Sequence, residues 1–185
     1  WVDALTGEGH GGVEGHPVAA ELKHAIATFD LPVSDFTRII EAWRADLYGE
    51  PMPDLSAVDA FLAETSSTLI GLAARICSPG AEVPTDLIRH AGLALGLVRL
   101  ISQLPRDASR GWLHLPRDLL ALNGVTTEEI LAGQAPQGLL AILAYLASGA
   151  EQHLAAVAAP DALRPALLPL ALARRTLTHL RRVEF

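Results

Sequence analysis

Gln103 and Asp107 stand four residues apart, with Arg99, Arg106, Arg110 and His114 gathered around them. Two carboxylates at that spacing would stack on one face of a helix and could share a divalent cation such as Mg²⁺. Here one member of the pair is a neutral amide, which coordinates only weakly through its oxygen, so half the charge of such a site is missing. The acidic pairs that keep the spacing are Asp46/Glu50, Glu50/Asp54 and Glu82/Asp86, and a glycine or proline interrupts each. The arginines, with Arg117 a little further on, have the planar fork that grips anions bidentately. The structural alternative is that they neutralise helix C-termini and pair with Asp107 or Asp118.

Other chemistries find less support. His10, His16, His24, His90, His114, His153 and His179 include no two that lie three or four apart, so zinc ligation along one helix is not indicated. Cys77 is the single cysteine; it excludes an internal disulfide and reads as a small core residue. No G-x-S-x-G elbow occurs. Gly7, Gly9 and Gly12 satisfy G-x-G-x-x-G, but no strand precedes them and no helix directly follows. A formal charge of −7 argues against binding nucleic acid.

The elements that must position these residues are helices. Half of the 185 residues are apolar and the chain is rich in alanine and leucine, with few aromatic or β-branched residues. One all-α domain over 1–185 is expected, with six long helices, two short ones and a flexible opening loop at 5–16. Ser34 should cap a helix carrying Phe36, Ile39, Ile40, Trp43 and Leu47 on one stripe, and Ser56 with Asp59 should cap a long helix to about Cys77 with Phe61, Leu62, Leu69 and Leu72 inside. Thr85 opens a segment, 86–104, that is apolar almost all round and therefore central. A short helix from Pro116, one capped by Thr126 and Glu129, and a longer one over 136–158 follow. The last begins after Asp161 and is kinked early by Pro165 and Pro169, and it carries a basic stripe, Arg174/Arg181 and Arg175/Arg182. No uninterrupted apolar stretch reaches the roughly 18 residues of a membrane span. The chain opens on Trp1 without a signal-like segment and reads as trimmed or cleaved.

The stretch 92–116 resembles the squalene and phytoene synthase family, in which a helix of the form AlQltNilRD enters a loop of the form vgEDarrGRiYLP. Gly92, Ala94, Asp107, Ala108, Arg110, Gly111, Leu115 and Pro116 keep that frame. Upstream, "IIEAWRADLYGE" is similar to the family's IdGmrmDL segment, with Asp46 at its aspartate, and "FLAETSSTLIGL" takes the place of YCyrVAGsVGlL. The resemblance implies an isoprenoid-synthase-like helical bundle, in which two aspartate-rich helices face a cavity and Mg²⁺ holds prenyl diphosphates for condensation. It also implies that Asp107 would be the metal ligand of an active enzyme. The family's first aspartate-rich helix has no counterpart within these residues.

The departures fall on polar chemistry. Gly96 stands where the family has glutamine, Arg99 where it has asparagine, Ser102 and Gln103 where it has Arg-Asp, and Arg106 where it has an acid. Trp112 and His114 replace an arginine and a tyrosine, and Thr65, Ser66 and Ser67 replace Val-Ala-Gly. Arginines here would repel Mg²⁺. "QLPRDASRGWLHLPRDLLALNGVTTEEI" and "LAETSSTLI" also resemble a mitochondrial complex I assembly-factor branch that has the synthase fold without the aspartate pairs. The expected function is therefore a non-catalytic isoprenoid-binding or assembly role without cofactor. The alternative is an active Mg²⁺-dependent prenyl-diphosphate transferase. The resemblance places the protein in the cytosol or the mitochondrial matrix, with a prenyl diphosphate or isoprenoid ligand and a protein partner or membrane surface as its contacts.

Overall fold

The computed structural model describes residues 2–7, 16–47 and 52–182, and every regular element among them is helical. Helix α1 spans Val2–Thr6, α2 Pro17–Phe29 and α3 Val33–Asp46. Helix α4 (Leu55–Leu62) continues through a π-helical turn, Ala63–Ser67, into α5 (Thr68–Cys77). Then come α6 (Thr85–Ala108), α7 (Arg117–Leu122), α8 (Thr127–Leu131) and α9 (Gln137–Ala156). Two 3₁₀ turns, Asp161–Leu163 and Pro165–Leu167, lead into α10 (Pro169–Arg182), which is the early kink that the prolines predict.

Local chemistry sets most of the boundaries, though not always through the residues expected. Thr126 and Glu129 form the predicted reciprocal cap of α8, and the hydrogen bonds from Thr126 hold the Glu129 carboxyl below its ordinary pKa. Asp54, rather than Ser56, caps α4 by accepting from the Ala57 amide at 2.8 Å. Pro32 occupies the position before α3, so Ser34 lies inside the first turn and caps nothing. Leu5 and Thr6, expected in the opening loop, are helical, and the rest of that loop falls largely outside the described residues.

Helix α6 runs one turn past its expected end, with Pro105 inside its last turn; the proline ring has no N–H to donate to the Ile101 carbonyl there. The helix stops where Gly111 takes a left-handed φ of 81° and the Trp112 amide donates to the Asp107 carbonyl at 2.9 Å. Asp107 is therefore a helical residue whose side chain shares a face with Gln103.

The core is organised around α6. Helix α9 packs along its length, the π-helical turn crosses its first half, and α10 lies against it as well. Leu93 and Ala94 are fully buried, as the all-round apolar pattern predicts. Helices α6 and α9 each have the length and composition of a membrane span, unlike the expectation from uninterrupted runs, yet they pack against one another in the bundle. Two expected core residues lie outside it: Leu69 is 47% exposed and Cys77 is an exposed free thiol. Trp43 and Leu47, at the end of the α3 stripe, are exposed as well.

The π-helical turn pushes Thr65, Ser66, Ser67 and Thr68 into the interior, where all four are buried. Their hydroxyls help satisfy backbone carbonyls: Thr65 donates to Phe61 at 2.7 Å, Thr68 to Ala63 at 3.2 Å, and Ser67 across to Arg89 of α6 at 3.3 Å. That last bond is possible because Gly92 has no side chain. A Cβ there would overlap the backbone nitrogen and Cα of Ser67, whereas at Gly96 it would meet the side chain of Leu62 at 2.6 Å.

On the opposite face of α6, the Nδ1 atoms of His90 and His153 of α9 lie 2.8 Å apart. One ring must donate and the other accept, so the pair is compatible with at most one proton beyond neutrality. Burial, then the neighbouring His90 and Arg89, push the His153 pKa below its ordinary value, with Asp59 opposing.

Two predictions follow from this packing. Gly92→Ala should destabilise the protein by about 3 kcal/mol or more, lowering Tm by roughly 6–12 °C, while Gly96→Ala, which displaces only a leucine side chain, should cost clearly less; thermal melts of both variants decide it. Because the folded His153 resists a proton that the unfolded chain accepts, stability should be complete above about pH 6.5 and fall as pH drops below it. Urea titrations between pH 5 and 8 should show that fall, and His153→Gln should flatten it.

Candidate functional site

A slot opens where α3, the α4–α5 rod and α6 meet. Its open space is about 510 Å³ with the solvent-facing mouth included. The α6 side carries Gly96, Arg99, Leu100, Gln103 and Asp107. Their spacings of three and four place them on one face, and the bare Gly96 leaves room at one end. Opposite stand Phe61, Leu62, Thr65, Ser66 and Leu69 of the rod, which share a face by the same rule.

An aromatic wall closes a further side. Trp43 and Phe61 pack edge-to-face with ring centroids 5.2 Å apart, and His114 stacks on Phe61 at 5.9 Å. His114 is brought there by the chain after α6, where Leu113, Leu115 and Pro116 are buried. That segment is pinned by the Arg117 amide donating to the Met52 carbonyl at 2.8 Å and the Asp118 amide to that of Pro53 at 3.2 Å. The slot is apolar along the aromatic and leucine surfaces and polar along Arg99, Gln103, Asp107 and His114.

The fold thus brings together four of the residues expected at the site, Arg99, Gln103, Asp107 and His114. Arg106 and Arg110 lie outside the slot and are exposed, as is Arg117. Among the described residues none of the three lines the slot and none pairs with Asp107 or Asp118, whose carboxylate accepts instead from the Leu119 amide; the helix C-terminus reading holds for Arg106, which lies in the last turn of α6. The side chain of Asp46 lies outside the described residues. The basic stripe of α10 divides in two. Arg174 donates to the Leu154 carbonyl and Arg181 pairs with Glu151, fastening α10 to α9, while Arg175 and Arg182 are exposed.

Sequence reasoning did not find Trp43, Phe61, Thr65, Ser66 or Leu69 as slot residues. The three- and four-residue spacings from Phe61 to Leu69 carried the face, but nothing in the sequence said that it was left partly uncovered. The His90–His153 pair, 63 residues apart in the chain, left no local signal.

Mg²⁺ prefers hard oxygen donors, with carboxylates supplying the charge. Among the described residues the slot offers one carboxylate, one amide, two hydroxyls, an imidazole and a guanidinium, and no cluster of three or more acidic, histidine or cysteine side chains suited to a metal. These residues do not fit a magnesium cluster. Gln103→Asp combined with Arg99→Gln would restore two carboxylates one turn apart and remove the cation. Mg²⁺ affinity of that double variant, read by calorimetry, should exceed that of the parent protein by roughly ten-fold or more.

The sequence profile described as squalene/phytoene synthase matches residues 1–185. A presqualene diphosphate synthase of Rhodopseudomonas palustris is 29% identical over 141 residues, covering 76% of this chain and 50% of that protein. The chloroplastic phytoene synthase 1 of Arabidopsis thaliana is 30% identical over 122 residues, 62% of this chain and 29% of that protein. The chain spans about half the length of the bacterial relative it matches. Among solved structures, squalene synthase HpnC from Alicyclobacillus acidocaldarius superposes with a TM-score of 0.80 at 23% identity, over 98% of this chain and 70% of that one. A dehydrosqualene synthase in complex with ligand gives 0.78 at 18% identity, over 99% and 65%. At these identities the likeness to solved structures establishes the fold alone.

Proposed function

The chain belongs to the squalene/phytoene synthase family, and from that membership we propose that it binds an isoprenoid, as a prenyl diphosphate, without itself carrying a metal-driven condensation. The observation that supports this reading is the polar strip of the slot. Gln103 sits one turn from Asp107 where a second carboxylate would be needed, and Arg99 occupies the same face. The apolar walls of Trp43, Phe61, Leu62 and Leu69 suit a hydrocarbon tail, because each methylene removed from water contributes about 0.8 kcal/mol. The role is then that of a binding or assembly factor, and the complex I type is the one that the frame from Gln103 to Ile130 resembles.

A second reading is an active prenyl-diphosphate transferase of isoprenoid biosynthesis. The relatives favour it, since those named above are a presqualene diphosphate synthase and a phytoene synthase. On this reading Asp107 would be the acid on α6 that meets the metal.

Release of diphosphate separates the two. The intact gene product, incubated with farnesyl or geranylgeranyl diphosphate and Mg²⁺, should release none above a protein-free control. Turnover that Asp107→Asn abolishes would overturn the proposal and establish the transferase.

A further inference from the structure

Arg99 is the one guanidinium that lines the slot. Some other arginines have visible tasks: Arg38, Arg44, Arg164 and Arg181 pair with carboxylates, and Arg174 meets a backbone carbonyl; among the described residues Arg106, Arg110 and Arg117 are unpaired like Arg99 but lie outside the slot. Among the described residues Arg99 makes no ion pair and no side-chain hydrogen bond, although Asp107 lies on its own helix face. Helix geometry explains why. Eight residues at about 1.5 Å each put Asp107 roughly 12 Å further along the axis, beyond the reach of an ion pair and with the neutral Gln103 between them. The slot therefore has a cationic end at Arg99 and an anionic end at Asp107.

The same slot has an apolar surface that is incompletely covered. Trp43 is 40% exposed and Leu69 47%, and both border the slot together with Leu100. Large apolar side chains left open beside an unpaired guanidinium make a site with two requirements, a hydrocarbon body and an anionic head. A guanidinium meets an oxyanion with two parallel N–H donors and a permanent positive charge, so it needs no bridging cation.

We propose that Arg99 takes the part of the metal: the slot binds a slim amphiphile with a phosphate, diphosphate or carboxylate head directly through Arg99, independently of divalent ions. This rests on the isoprenoid-binding reading above and adds how the head is held. Gln103 is within one turn of Arg99 and can donate a second hydrogen bond to the same head, while Asp107 and its repulsion stay at the far end.

The test uses the full chain and four probes that share one tail and differ in the head: farnesyl S-thiolodiphosphate, farnesyl monophosphate, farnesoate and farnesol. Affinities are measured by calorimetry in EDTA and again in Mg²⁺. The anionic probes should bind equally well in both, within about three-fold, and at least ten-fold more tightly than farnesol, a gap that corresponds to one charge-assisted contact. Comparison of the three anionic probes assigns the head as phosphate or carboxylate. Arg99→Gln should weaken the anionic probes at least ten-fold and leave farnesol unchanged, with Arg99→Lys in between. Arg99 is exposed on the helix surface, so the variants should fold, and circular dichroism checks that.

Binding that requires Mg²⁺, or Arg99→Gln that binds the anionic probes as well as the parent does, would overturn the inference. If farnesol alone also binds tightly in that case, the isoprenoid-binding reading survives without it. Failure of every probe to bind in either buffer would sink both.

Discussion

Helix α6 and the π-helical turn of the α4–α5 rod meet backbone to backbone at Gly92 and Ser67. A side chain at Gly92 would hold the two elements further apart, and much of the molecule depends on their closeness. The Ser67 hydroxyl reaches the Arg89 carbonyl only across this gap. One turn on, Gly96 lets Leu62 and Ser66 lie against α6, which sets the width of the slot at that end. The π turn itself is an irregularity in the rod, and the buried Thr65 and Thr68 hydroxyls donate to the Phe61 and Ala63 carbonyls along it. Scaffold and site are thus one construction: the face of α6 that presses on the rod carries on into Arg99, Gln103 and Asp107.

Electrostatics then separates this slot from a magnesium-diphosphate cradle. Several acids close together are unstable unless cations neutralise them, and such a cluster exists to collect metal. The slot instead balances one carboxylate against one guanidinium at opposite ends of a helix face. Its preference should be for an anion at Arg99 without help from metal. On the far side of α6, the His90–His153 contact is polar chemistry of a different kind, tying the central helix pair together and making that tie sensitive to protons.

Much of the fold was legible because helices advertise themselves locally. The apolar all-round pattern of 86–104 identified the central helix, since a helix with no polar face must be surrounded, and the Thr126–Glu129 cap and the Pro165/Pro169 kink were readable because their causes lie within a few residues. Errors came where two local signals competed. Asp54 and Ser56 are both good caps, and the sequence did not rank them, while Pro105 looked like a stop although the helix continues one turn past it. Leu69 and Cys77 were assigned to the core by periodicity alone. Periodicity shows that a face is apolar but not that another helix arrives to cover it.

By itself, then, the sequence determined the all-helical class, the order of the long helices, the family frame from Gly92 to Pro116 and the neutral amide four residues before Asp107, because each rests on residue type and short-range spacing. Tertiary structure alone decided which side chains share a space. It put Trp43, Phe61 and His114 on one wall opposite Arg99, excluded Arg106, Arg110 and Arg117 from that space, and joined His90 to His153. The physical reason is that a helix fixes directions within itself to a few ångströms, whereas the distance and rotation between helices follow from how side chains of many elements fill volume together.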